Sequence, residues 1–181
     1  MTICGLAGSL RAASFNRALL AACVELAPAG MTIEAVDLRD VPLYDADVEA
    51  AGLPDPVVML RHAIADADGL LIVTPEYNAG LPAVTKNAVD WASRRPRPSP
   101  LDGKPVAVMG ATPSLRGTTR AQAELRISLA HAGAVAMPRP ELFVPSAAEK
   151  FEDGRLVDGP TRERVAQVLE AFAGFVTRLS A

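Results

Sequence analysis

Residues 69–73 read Gly-Leu-Leu-Ile-Val, an unbroken apolar run. Successive side chains of a strand point to opposite faces, so a strand of this kind must be covered on both sides, as in a parallel sheet. Residues 2–7 (TICGLA) and 105–109 (PVAVM) have the same character. Residues 32–38 (TIEAVDL) alternate apolar and polar, which predicts a strand nearer a sheet edge. A fifth, weaker strand is expected between Ala134 and Val144, where prolines blur its limits.

Helical periodicity fills the gaps. It predicts helices over 16–26, 56–66, 82–92, 118–132 and 161–179, with Ser14 as N-cap of the first and Pro82 in the first turn of the third. Strand and helix alternating about five times predict an α/β doubly wound sheet with right-handed crossovers. The stretches 40–54 and 94–100 read as surface loops, and the charged run 149–155 as a solvated turn. With 181 residues and no composition break, the expectation is one domain spanning 1–181.

Composition narrows the partners. A formal charge of −3 with no basic run argues against a nucleic-acid surface. No apolar stretch approaches the roughly 20 residues that span a bilayer, and the N-terminus lacks a basic, then apolar leader, so a cytoplasmic location without membrane attachment is expected. Cys4 and Cys23 lie in apolar patterns without CxxC spacing. They read as buried small hydrophobes, and no metal site is expected.

Ligands of open α/β sheets sit beyond the carboxyl ends of the strands. The first such loop, Gly8-Ser9-Leu10-Arg11-Ala12-Ala13-Ser14-Phe15-Asn16, runs straight into a helix. A helix N-terminus offers N–H groups and positive potential to an anion. Ser9 and Ser14 can donate to phosphate oxygens, Arg11 adds a charge-assisted contact, and Asn16 can reach the phosphate or an adjoining polyol. Ser14 as a simple helix cap and Arg11 as a solvated charge are the plainer alternatives. Neither GxGxxG nor GxxxxGK[ST] is present, which disfavours a dinucleotide Rossmann site and a Walker loop. After the third strand, Thr74-Pro75-Glu76-Tyr77-Asn78-Ala79-Gly80-Leu81-Pro82 can hold backbone donors and acceptors in a fixed turn.

GSLRAASFN, PEYNAGLPAVTKNAVDW and GKPVAVMGATPSLRG, in this order, resemble the NAD(P)H-dependent FMN reductase family, which includes quinone, chromate and azo-dye reductases. The likeness runs from the first strand to about residue 132. It implies a flavodoxin-like fold, a five-stranded parallel sheet of order 2-1-3-4-5. It also implies non-covalently bound FMN, NADPH or NADH as co-substrate, and a homodimer or homotetramer whose second subunit walls the flavin near Trp91 and the fourth helix. By the resemblance, Ser9, Arg11, Ser14, Phe15 and Asn16 hold the FMN phosphate and neighbouring chain. Pro75, Glu76, Tyr77 and Asn78 line the ribityl and isoalloxazine, and Thr112 in the Gly110–Ser114 loop closes the other edge. Two departures are Ala79, where many members carry an aromatic, and the inserted Pro113.

Glu76 reads as a backbone or structural contact rather than a catalytic carboxylate. Lys86, Asn87 and Asp90 read as polar support and subunit contacts, Trp91 as core or interface, and His62 and His131 carry no assigned role. The chemistry expected is therefore the cofactor's own. A reduced nicotinamide would give hydride to FMN, and a flavin, quinone, chromate, azo or nitro compound would then take the electrons in a ping-pong cycle. The rival readings are a flavodoxin-type electron carrier that docks a protein partner, and a nucleoside or nucleotide-sugar enzyme on the same fold.

Overall fold

The computed structural model describes residues 1–95 and 98–180. Strands β1 (Thr2–Ala7), β2 (Thr32–Val36), β3 (Gly69–Val73), β4 (Pro105–Ala111) and β5 (Val135–Ala136) form a parallel sheet in the order β2-β1-β3-β4-β5, as the alternating pattern and the resemblance imply. A sixth strand, β6 (Leu142–Val144), pairs with Met109 to Ala111 at the far end of β4, while β5 pairs with Pro105 and Val106. The single strand expected between Ala134 and Val144 is thus two pieces. Pro138 and Pro140 lie between them and have no N–H to give to a ladder, so the chain leaves the sheet and rejoins it.

Two helical layers cover the sheet. Helices α1 (Phe15–Glu25) and α6 (Gly159–Leu179) bring Leu19, Leu20, Cys23, Leu169, Phe172 and Val176 onto Ile3, Leu71, Val73 and Met109. On the other face, α3 (Asp55–Asp66), α4 (Ala83–Ala92) and α5 (Thr119–His131) bring Leu60, Ile64, Val89, Leu125 and Leu129 onto Cys4, Leu6, Leu70, Ile72 and Val106. Strand β3 feeds both layers by strict alternation, and all five of its residues are buried. Gly8, just past β1, lets two elements meet: a Cβ there would lie 2.0 Å from the Thr85 hydroxyl oxygen of α4.

Two expectations need correction. Residues 40–54 hold a short helix, α2 (Ala46–Ala51), started by the Asp45 carboxylate accepting from Asp47 N at 2.8 Å. The same segment is tied inward: the Pro42 carbonyl accepts from Asn87 Nδ2 and from Trp91 Nε1, each at 2.8 Å, and Asn87 Oδ1 accepts from Tyr44 N. Trp91 is consequently 0% exposed and edge-on to Tyr44 at 5.0 Å, the core placement among its two readings. Residues 149–155 are not only a solvated turn. They include a hairpin, β7 (Phe151–Glu152) with β8 (Arg155–Leu156), turned by Asp153 and Gly154 at positive φ. Its charges face water while Phe151 and Leu156 go into the core, Phe151 lying 5.4 Å from Phe15 of α1. The surface-loop reading of 94–100 includes Pro96 and Arg97, which lie outside the described residues.

Both cysteines are buried and reduced. Burial pushes the Cys23 thiol up to about 12, and does the same to Cys4 against the opposing pull of Lys104. The thiolate is the nucleophile, and at pH 8 a thiol of this kind is ionised to only about one part in ten thousand. Iodoacetamide at pH 8 should therefore spare both cysteines of the folded protein over the time in which it alkylates both in denaturant, read by intact mass. Labelling of the native protein at the denatured rate would show that β1 and α1 are not sealed from solvent.

Candidate active site

The strand order reverses direction between β1 and β3, and the loops leaving β1, β3 and β4 gather beyond that point. Backbone bonds lock their starts together. Gly8 N donates to Val73 O at 2.9 Å, Thr74 N to Met109 O at 2.9 Å, and Thr112 N to Val144 O at 3.0 Å.

The loop after β1 leaves most of its backbone donors unused. Among the described residues, the backbone N–H groups of Ser9 to Ala13 and of Phe15 find no acceptor. Ser14 caps α1, its Oγ accepting from Asn16 N at 3.2 Å and Arg17 N at 3.4 Å, which leaves its O–H available to donate. Arg11 is exposed, has no carboxylate partner among the described residues, and lies over the Phe15 ring at 5.9 Å. Phe15 is in turn backed by Phe151 from the unexpected hairpin. Ser9 is buried with its Oγ 3.2 Å from the Tyr77 hydroxyl, joining the first loop to the second.

Asn16 does something other than offer a free amide. Its Nδ2 donates to Ala111 O at 2.9 Å and its Oδ1 accepts from Ala111 N at 2.8 Å, so the side chain ties the start of α1 to the end of β4. Thr112 is likewise committed to protein partners. Its carbonyl accepts from Ala147 N, and its Oγ1 accepts from Ser114 N at 3.3 Å.

The loop after β3 makes a tight hairpin. Tyr77 and Gly80 exchange both backbone bonds, at 3.2 and 3.0 Å, across Asn78 (φ 50°) and Ala79 (φ 61°). Asn tolerates this left-handed conformation, whereas alanine is strained by about 1–2 kcal/mol there. Pro75 is buried, and Tyr77 stands 52% exposed at the rim. Glu76 turns away from the loop cluster: its Oε2 accepts from Arg120 N at 2.9 Å and Ala121 N at 3.2 Å, capping α5, whose own N-cap Thr118 makes no side-chain cap bond. The reading of Glu76 as a structural contact accords with this geometry.

Several participants carried no signal in the sequence. Thr74 and Thr85 share a hydroxyl–hydroxyl bond of 3.0 Å beneath the loops, and Glu124 of α5 accepts from Leu81 N at 2.7 Å. Phe151 had one, the Asp-Gly pair that favours a tight hairpin turn. Among the described residues no group of three or more His, Cys, Asp or Glu is placed to hold a metal, and no helix is long and apolar enough to cross a membrane.

A doubly wound sheet of this order, with the loops of three strands gathered at its reversal point, defines a flavodoxin-like protein. Comparison carries this further. The model of the NADPH-dependent FMN reductase family matches residues 1–149, and the chain belongs to that family. It is 44% identical over 178 residues to an NAD(P)H-dependent FMN reductase of Pseudomonas aeruginosa, covering 98% of this chain and 96% of the relative. It is 39% identical to a quinone reductase of Escherichia coli, covering 96% and 94%. Among solved structures it is similar to the flavoenzyme NAD(P)H:(acceptor) oxidoreductase FerB from Paracoccus denitrificans, at TM-score 0.89 and 34% identity, covering 98% and 97%. Membership makes the chain an oxidoreductase with FMN as cofactor and a reduced nicotinamide nucleotide as donor.

The strained turn yields a direct test. Ala79→Gly removes the Cβ from a left-handed position and should stabilise the fold by roughly 1 kcal/mol. In a chain of this length that is a rise of about 2–4 °C in melting temperature. A lower melting temperature would show that the turn is relaxed as it stands.

Proposed function

We propose that the β1–α1 loop holds the FMN phosphate, that the loops after β3 and β4 hold its ribityl chain and ring, and that the reduced flavin passes electrons to small acceptors, quinones foremost. The observation that carries the phosphate placement is the unbroken set of uncommitted backbone donors from Ser9 to Ala13 with Phe15, on a helix N-terminus and beside Arg11. One phosphate can absorb several such donors at once, and that need explains why the segment forgoes bonds of its own. The quinone assignment leans on relatives, which include a quinone reductase and a 2-hydroxy-1,4-benzoquinone reductase.

Hydride chemistry between a reduced nicotinamide and a small acceptor is what FMN would supply when bound in this crevice. The chain's own residues bind and orient. Ser9, Ser14 and Arg11 neutralise and fix the phosphate, Phe15 supports the guanidinium, and Asn16 keeps the loop against β4. Pro75, Tyr77 and Asn78 present the wall of the ring site, with Thr112 on the opposite edge, while Glu76 holds that wall to α5. No residue is assigned the transfer of a proton, because positioning alone can lower a barrier by as much as about 7–11 kcal/mol. A second copy of the chain, in a dimer or tetramer, would complete the open side of the crevice.

Arg11→Ala tests the phosphate assignment. A hydrogen bond to a charged group contributes about 1.5–3 kcal/mol, which is roughly ten- to hundredfold in affinity. Flavin titration should show that loss with FMN, and a smaller one with riboflavin, which lacks the phosphate. Equal losses with both, or none with either, would remove Arg11 from the phosphate site. Anaerobic mixing of the FMN-loaded protein with NADPH should bleach the flavin absorbance; an electron carrier without a nicotinamide site would not respond.

A further inference from the structure

We infer that Glu124 is a positioning residue for the flavin: through Leu81 it pins the far flank of the Tyr77–Gly80 hairpin, completing a two-carboxylate strap between that hairpin and the first turns of α5. The inference rests on the proposed placement of the flavin ring against this hairpin, and it concerns a residue outside every loop that meets the ligand.

The hairpin is gripped from both sides. Before the turn, Glu76 reaches out to α5 and accepts from Arg120 N and Ala121 N. After the turn, α5 reaches back, and Glu124 Oε2 accepts from Leu81 N at 2.7 Å. Glu124 lies one turn after Arg120, and a helical side chain tilts toward the N-terminus, so its carboxylate reaches the end of α5 whose N–H groups Glu76 caps. Between the two grips lie the two consecutive left-handed residues, Asn78 and Ala79. A strained turn of this kind persists only where its surroundings over-determine it, and the Tyr77–Gly80 bridge alone is one pair of bonds. Gly80 is part of the device: a Cβ built there would approach Glu124 Oε2 to 3.3 Å, so a side chain would press on the carboxylate that holds the next residue.

Glu124 itself is exposed, and the described structure gives it no bond in the core. Its side chain is therefore nearly irrelevant to global stability and specific to the posture of the hairpin. The part that matters is an oxygen able to accept from Leu81 N; a negative charge is secondary.

The experiment compares FMN titrations, visible spectra of the bound flavin and FMN-free melting temperatures for wild type, E124A, E124Q and E124A/A79G. E124A should bind FMN about five- to tenfold more weakly, the scale of losing one hydrogen bond. It should also alter the bound-flavin absorption bands, while the FMN-free melting temperature stays within about 2 °C of wild type, as expected of a surface substitution. E124Q keeps an acceptor oxygen and should stay within about twofold of wild type. E124A/A79G should recover part of the loss, because a glycine at position 79 lets the turn hold its shape without the strap. If E124A does not fold, G80A supplies the test in the intact background, with an expected loss of a few fold. Wild-type affinity and spectrum in E124A, or a loss in E124Q as large as in E124A, would overturn the inference. Failure of the wild type itself to bind FMN would instead overturn the flavin placement on which it stands.

Discussion

Every residue of β3 from Gly69 to Val73 is out of water, Leu70 and Ile72 toward one helical layer and Leu71 and Val73 toward the other. Each such side chain contributes about 1.5–3 kcal/mol by leaving water. The four together rival the whole net stability of a domain, about 5–15 kcal/mol. That demand for cover on both faces forces helices onto both sides of the sheet. It also sets β3 beside β1, where the winding direction reverses and a crevice opens.

The crevice is then furnished by groups that satisfy one another, so that the ligand-facing groups stay unsatisfied. Asn16 takes both backbone groups of Ala111, Ser9 meets Tyr77, and Glu76 supplies the cap that Thr118 does not give to α5. These bonds are made behind the loops. Among the described residues, the donors of the β1–α1 loop have no internal acceptor and the Arg11 guanidinium has no carboxylate, which leaves them for the proposed FMN phosphate. The hairpin after β3 adds a second feature, backbone strain at Ala79, which the bracing from α5 makes tolerable.

Much of this was legible in order along the chain. The strand and helix periodicities placed β1, β3 and the five longer helices to within a few residues, because two-sided burial and one-sided burial leave different apolar spacings. The segment containing β5 and β6 was harder, since its prolines break the ladder without abolishing it. The hairpin at 151–156 was hidden by its own charges. Four exposed residues, Glu152 to Arg155, dominate the pattern, while the two buried ones, Phe151 and Leu156, are too few to form a period. Trp91 was ambiguous because a lone tryptophan suits a core or an interface equally. Its partner carbonyl, at Pro42, lies 49 residues away.

By itself the sequence determined the local chemistry: apolar runs that had to be covered, a serine- and arginine-bearing loop ahead of a helix, an Asn in a turn. These follow from neighbours a few residues apart, where covalent geometry and periodicity act directly; the left-handed backbone of Asn78 and Ala79 is a finding of the structure. Only the tertiary structure decided which of those groups are used up and which stay available. Nothing local shows that Asn16 is held by Ala111 and Glu76 by α5, 95 and 44 residues further along, until folding brings them together. Glu124 gained a role for the same reason. A hydrogen bond is satisfied by whatever group folding delivers within about 3 Å, and no local pattern records which group that will be.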